Sequence, residues 1–539
     1  MKACSASNRR WNPPAAYGAN TKSALESALD CFTLNLHRTI CLLLLLGCSG
    51  AACAEPFDIS LAQKNWLETR TTHFNIYSYD RPQQVYGLAT CLEQYCEAFS
   101  LLAGSQAVSS PPIVVLAFPD QKSLKPFVPL YHGQPDSLAG FFNHGTDENL
   151  IVLALPDAPS SSGRMQVIFH EYTHLLFRRN DAIWPLWLKE GMAEIYSTFT
   201  ASGRVAEIAR PIDYHLRLLK QQPLMPLTEL FAVKPDSPQY NERERQGIFY
   251  AESWLLTHYL MAGDNPAYKA RFGKFTELLR AGQSPVQAFT NALQTTLPAV
   301  QRQLQNYLAR GEFDPIELTL PTTVAATTAM TGRRITPVEA CFRFGDELLR
   351  IGRPDAAESC FQQAQKLAPA SPLPYEGLGL LAVRKNETAD ALADFKMALQ
   401  LGSTSYLANY FCALEEYRQA GGDGGRFVPV LGNAAAEIHA ALLRSLALMP
   451  NFGPAHELFG IFELVQGENF SVAEQHLQLA VQLEPEQSAY LLALAEAQFK
   501  NKEAAAAVQT LQPLLQPGVD AELRDQAGEM LRELRQVRQ

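Results

Sequence analysis

"ACFRFGDELLRIGRPDAAESCFQQAQKLAP", Ala340–Pro369, contains two amphipathic segments separated by Gly352-Arg353-Pro354. The first carries Phe344-Gly345 and Leu348, the second Ala357, Phe361 and Ala364, and Pro369 closes the unit. The same pattern returns 34 residues on, with Leu378-Gly379 and Ala382 followed by Ala391, Phe395 and Ala398. A third unit has Phe459-Gly460, then Ala473, Leu477, Ala480 and Pro485. A fourth has Leu494-Ala495, then Ala507, Leu511 and Leu514. Small residues at fixed offsets from large ones are what two helices need where they cross closely. A helical bundle with accidental spacing is the plainer alternative, and four units in phase argue against it.

These residues resemble the tetratricopeptide repeat, a helix-turn-helix of 34 residues. The resemblance implies an all-α superhelix over 337–520, with a concave surface suited to a protein partner. Residues 404–452 fit the pattern poorly and hold the insert "GGDGGRFVPVLG", so they are expected to form a degenerate repeat with a loop. A C-terminal helix is expected over 521–539.

With 539 residues, the chain is too long for one core. Its 47% hydrophobic and 19% charged content is that of a globular protein. A net charge of −10 without a basic cluster excludes nucleic acid as the expected partner. The apolar run "TICLLLLLG" followed by "CSGAACAEP" reads as an export leader over 1–54. The expected location is therefore the bacterial periplasm or the exterior, with lipoprotein anchoring at Cys48 as the minor alternative. No other stretch is long and apolar enough to be a transmembrane segment. Five cysteines follow the leader (Cys91, Cys96, Cys341, Cys360 and Cys412), an odd, sparse set that reads as small buried side chains rather than a disulfide framework.

Ahead of the repeats, "HFNIYSY", "PIVVLAF" and "NLIVLAL" read as strands, and "SLAGFFNHGTDENLIVLAL" as a hairpin. From Gln166 onward the periodicity is helical. An α+β domain, a mixed sheet followed by helices, is expected over 55–320, and the Thr/Ala-rich 321–336 as a linker.

The chemistry sits in "VIFHEYTHLLF", Val167–Phe177. Positions four apart on a helix share a face, so His170 and His174 suit two corners of a zinc site. Glu171 points about 100° away, off the metal but within reach of a water bound to it. Two helix histidines with structural partners are the bland alternative. The following segment, "WPLWLKEGMAEIYS", can bring Glu190 over the pair as third ligand. Glu194, one turn on, could take the remaining N–H of either histidine, and Gly191 would permit close helix approach.

At His170-Glu171-Tyr172-Thr173-His174 and Trp187-Leu188-Lys189-Glu190-Gly191-Met192-Ala193 the sequence resembles the gluzincin metallopeptidases, in particular the peptidase-MA-like group. The resemblance implies one Zn2+ ion on His170, His174 and Glu190, with Glu171 as general base. It also implies an oxyanion-stabilising tyrosine at Tyr250 in "FYAESWLLTHYL"; a core tyrosine is the alternative, and His215 is the reserve donor. A weaker likeness of "GTDENLIVL" to an aminopeptidase strand would make Glu148 an amine anchor, and "NLIVLAL" could pair with an extended peptide. The expectation is an exported zinc peptidase acting on a peptide or protein substrate, with repeats that recruit a protein partner. Endo- and aminopeptidase action stay open, and so does hydrolysis of a non-peptide amide. The competing expectation is a repeat scaffold of an envelope assembly whose zinc domain is weakly active or structural.

Overall fold

The computed structural model describes residues 59–537 except 105–112, 132–133, 136–137, 139, 146, 156–162, 179–182, 242, 322–331, 421–427, 468, 486 and 517–518. The leader therefore lies outside the described residues.

The first half is built on a mixed sheet of β1 (Leu67–Arg70), β2 (Phe74–Ser78), β3 (Ile113–Phe118), β6 (Gly140–Asn143), β7 (Leu150–Ala154) and β11 (Gly332–Arg334). A two-stranded ribbon, β4 (Leu130–Tyr131) and β5 (Gln134–Pro135), lies apart from it. Strand order is β11-β1-β2-β3-β7-β6; the inner pairs β2–β3 and β3–β7 are parallel and the rest antiparallel. β6 and β7 form the expected hairpin, with Asn143 opposite Leu150.

Every residue of β3 and β7 is buried. Strands apolar at each position must be covered on both faces, and they are. Ile76, Val115, Ile151 and Leu153 face α1 (Pro82–Ala103) and α2 (Gly163–Phe177) through Leu88, Leu92, Tyr95, Phe169 and Tyr172. Tyr77, Val114, Leu116 and Val152, one position out of phase, face Ala340, Phe344 and Leu348 of α9 (Pro337–Arg350), the first repeat helix. The ring of Phe344 stands 5.1 Å from Trp66 and 4.9 Å from Phe127.

This corrects the expectation of a free linker. The stretch 321–336 ends in β11, paired with β1 at the sheet edge, and the repeat array begins as the sheet's second covering layer. The apolar face of the sheet would otherwise meet water, which explains the docking.

After α2 come α3 (Leu186–Ser197), the small sheet of β8 (Thr200–Ser202), β9 (Val205–Ile208) and β10 (Ile316–Thr319), and helices α4 (Asp213–Gln221), α5 (Arg243–Ala262), α6 (Pro266–Arg280), α7 (Pro285–Leu293) and α8 (Leu297–Arg310). The repeats continue from α9 as α10 (Pro354–Leu367), α11 (Leu373–Lys385), α12 (Thr388–Gln400), α13 (Tyr406–Ala420), α14 (Asn433–Leu448), α15 (Gly453–Gln466), α16 (Phe470–Leu483), α17 (Ser488–Lys500) and α18 (Ala504–Leu511). Phe361 shows why the small residues recur. A Cβ on Gly345 would stand 2.3 Å from its ring and one on Gly377 2.2 Å, so both flanking helices must present glycine there. Phe395 meets Gly379 in the same way one repeat on. The helix α19 (Ala521–Val537) closes the array, burying Leu523, Ala527, Leu531 and Leu534 against Leu492 and Leu511. All five cysteines after the leader are free and buried. Among the described residues, no helix is long and apolar enough to cross a membrane.

Candidate metal centre

The buried face of α2 fixes where its other face points. Tyr95 stacks on Phe169 at 4.4 Å, and its hydroxyl lies 2.5 Å from Thr173 Oγ1 and donates to the Phe169 carbonyl at 3.1 Å. With Ile168, Phe169 and Tyr172 in the core, His170 and His174 turn toward α3. The approach of α3 depends on Gly191: a Cβ there would fall 2.1 Å from Thr257 Oγ1 and 2.5 Å from the Ser253 carbonyl of α5.

Three ligand atoms converge. Nε2 of His170 and Nε2 of His174 are 3.2 Å apart, and Glu190 Oε2 is 3.3 Å from the first and 3.4 Å from the second. Tetrahedral zinc with bonds of about 2.0–2.1 Å separates its ligand atoms by about 3.3–3.4 Å. The triangle has that size. Glu190 is 3% exposed, and its buried Oε2 faces the two imidazole nitrogens, a position where a carboxylate needs a proton on a ring or a cation between the three groups. Among the described residues this is the one cluster of three or more histidine, cysteine or acidic side chains with such spacing.

The outer contacts hold these ligands in place. Glu194 Oε1 lies 3.3 Å from His170 Nδ1, and its Oε2 lies 3.2 Å from His215 Nε2. Of the two partners open to Glu194, the structure brings it to His170, and His215 meets its other oxygen. Tyr240 donates to Glu190 Oε1 at 3.2 Å, leaving Oε2 for the histidines.

The electrostatics follow from burial and pairing. Burial favours the neutral forms of Glu190 and Glu194, but His174 and His170 more than offset it for Glu190, and His170 and His215 for Glu194. The Glu190 carboxyl is held far below the usual range and Glu194 is lowered to about 2. Burial likewise opposes the charge on His170 and His174, yet the facing carboxylates raise both above the ordinary histidine value. The facing carboxylates thus favour positive charge at this position.

Glu171 is half-buried on α2 between the two histidines. Tyr250, on α5, has its ring centroid 6.0 Å from that of His170 and 6.1 Å from that of Tyr240. Two other expectations are corrected. Glu148 is not a free amine anchor: Arg343 of α9 donates to both its carboxylate oxygens, at 3.0 and 3.3 Å. Nor can β7, the "NLIVLAL" strand, accept a peptide, because β3 and β6 occupy its two edges; β6 is the outer strand, and it packs against α2. Tyr240 is the contact that sequence reasoning missed. It sits in the short helix Pro238–Asn241, within a polar stretch with no apolar periodicity to mark it.

The tetratricopeptide-repeat family model matches residues 342–406 and 463–518, so the second half of the chain contains tetratricopeptide repeats. The unmatched interval includes the insert after α13. Among solved structures, the chain is similar to YrrB, described as a tetratricopeptide-repeat protein with an unusual peptide-binding site, at 16% identity over 35% of this chain and 91% of that one, with a TM-score of 0.29. It is similar to MamA from Desulfovibrio magneticus RS-1 at 17% identity over 33% and 93%, with a TM-score of 0.27. It is also similar to PilW, described as a widely conserved type IV pilus biogenesis factor, at 17% identity over 36% and 90%, with a TM-score of 0.29. No curated protein matches the chain.

Proposed function

We propose that this chain is an exported protein-binding scaffold that carries a zinc-dependent peptidase centre. The scaffold part is supported by the tetratricopeptide repeats, a class of helical array that presents an extended surface to other proteins. The peptidase part rests on one observation, the triangle of His170, His174 and Glu190, whose three ligand-type atoms stand 3.2, 3.3 and 3.4 Å apart.

A zinc ion held there would bring the pKa of its water to about 7 and polarise the scissile carbonyl. The chain's own groups would do the rest. Glu171 receives the proton of the attacking water and later passes it to the leaving amine. Tyr250, on the α5 side of the histidines, donates to the oxygen that becomes negative. Glu194 fixes the tautomer of His170, and Tyr240 fixes the carboxylate of Glu190. An extended peptide would lie along β6, the edge strand that packs against the histidine helix.

A scaffold whose metal centre is structural is the second reading, favoured because the family match covers only the repeats. One experiment separates the two. A peptide-library digest is run with and without chelator, on the wild type and on Glu171→Gln. Cleavage that needs metal and is lost in Glu171→Gln, with zinc retained by elemental analysis, supports the peptidase. Zinc retained in both proteins with no cleavage under any condition leaves the scaffold.

A further inference from the structure

The contacts that dock the array on the sheet domain converge on one short turn. Between β6 and β7, Asp147 receives two bonds from Arg350, from Nη2 at 2.6 Å and Nη1 at 2.9 Å. Glu148 receives Arg343 at 3.0 Å. The hydroxyl of Tyr406, on α13, donates to the Asp147 carbonyl. The turn is pressed close: a Cβ on Gly145 would stand 2.8 Å from Arg350 Nη1. Arg343, Arg350 and Tyr406 all lie on first helices of repeat pairs, and Arg384 of α11 stands exposed beside them, near enough to interact with the charges of Arg350 and Asp147.

Without the turn, this pocket would hold Arg343 and Arg350 against Asp346, which pairs with Arg350 at 3.2 Å, and Glu376 of α11, which lies near Arg343 and accepts from Ser403. Glu347, also on α9, is fully buried, and burial pushes its carboxyl well above the ordinary range. Arg350 is 10% exposed, and guanidinium groups so placed need anions. Two adjacent carboxylates on an extended or turning backbone meet that need. Nothing in the contacts requires that they come from this chain.

We propose that the first repeats form a recognition pocket for acidic peptide segments, and that in the resting chain the pocket is filled by its own Asp147–Glu148 turn. An acidic segment of a partner competes with that turn and, by displacing it, loosens the β6–β7 hairpin beside the histidine helix. The proposal rests on the array being a protein-binding module and is independent of whether the metal centre is catalytic.

The test uses the full chain in a Glu171→Gln background, so that the probe survives, with a short labelled peptide of alternating Asp and Glu. The double substitution Asp147→Asn and Glu148→Gln should tighten binding of this peptide by about tenfold or more, and Arg350→Gln added to it should remove the gain. A folded double variant that binds no better than its parent overturns the proposal. Should the double variant not fold, the parent decides: saturating peptide should raise hydrogen exchange at the Asn143 and Leu150 amides, and unchanged protection overturns the competition. Equal binding of a short oligonucleotide overturns the assignment to peptides. A neutral peptide that binds the array where the acidic one does not overturns it as well, while leaving the array a protein-binding module.

Discussion

Arg178, one residue past the histidine helix α2, donates to the carbonyl of Leu483 at the end of α16, at 2.8 Å. The two residues are 305 positions apart in the chain. The array therefore touches the sheet domain under the sheet at α9, at the β6–β7 turn, and at the end of the histidine helix. A cation on helix-terminal carbonyls is favourable in itself, and here it ties repeats to the site.

Gly191→Ala should separate α3 from α5. The added methyl would overlap the Thr257 hydroxyl, which can rotate away, and the Ser253 carbonyl, which cannot. A loss of about 1–3 kcal/mol in stability is expected, together with weaker zinc retention, because Glu190 and Glu194 move with the helix. Chemical denaturation and zinc content after dialysis check both.

Tyr240→Phe removes the donor on Glu190 Oε1 and leaves all three ligands. Loss of such an outer partner costs about 10–100-fold in metal affinity. Competition with a chromogenic chelator measures it; an unchanged affinity would mean that Glu190 is oriented by packing alone.

Glu252 gives a pH signature of its own. It is 1% exposed on α5, burial pushes its pKa up to about 8, and its carboxylate still accepts from the Met225 amide at 2.7 Å. The folded value is above the unfolded one, so the folded state binds more protons between about pH 4.5 and 8. Stability must then fall as pH rises through that window. Glu252→Gln keeps the acceptor and removes the proton, so melting temperatures should be similar near pH 5 and higher in the variant near pH 9.

A chain ending at residue 336 should not behave as an independent domain. It leaves Tyr77, Val114, Leu116 and Val152 without Ala340, Phe344 and Leu348. Strong binding of an apolar dye and aggregation on purification are expected; a soluble monomer with a sharp melting transition would show that the covering layer is dispensable.

Local patterns made much of this legible. The helix pairs follow from small and large residues in phase, because Phe361 and Gly345 belong to one repeat and Phe395 and Gly379 repeat them. The approach of Glu190 to His170 and His174 could be read because two apolar-periodic segments with a short polar turn between them have few ways to pack. The continuous apolar runs in β3 and β7 already announce a sheet covered on both sides; what they do not announce is the cover. Arg343 and Arg350 look like ordinary solvated charges on an amphipathic helix, and their partners Glu148 and Asp147 lie 195 and 203 positions earlier. Tyr240 is invisible for the same reason, since its bond to Glu190 spans 50 positions and no local pattern encodes it.

One layer of strands thus has the first repeat leaning on its front and the histidine helix leaning on its back. The strands that α9 covers are the floor on which α2 rests. Along the polypeptide α9 and α2 are far apart, but through the thickness of the sheet they are next-door neighbours.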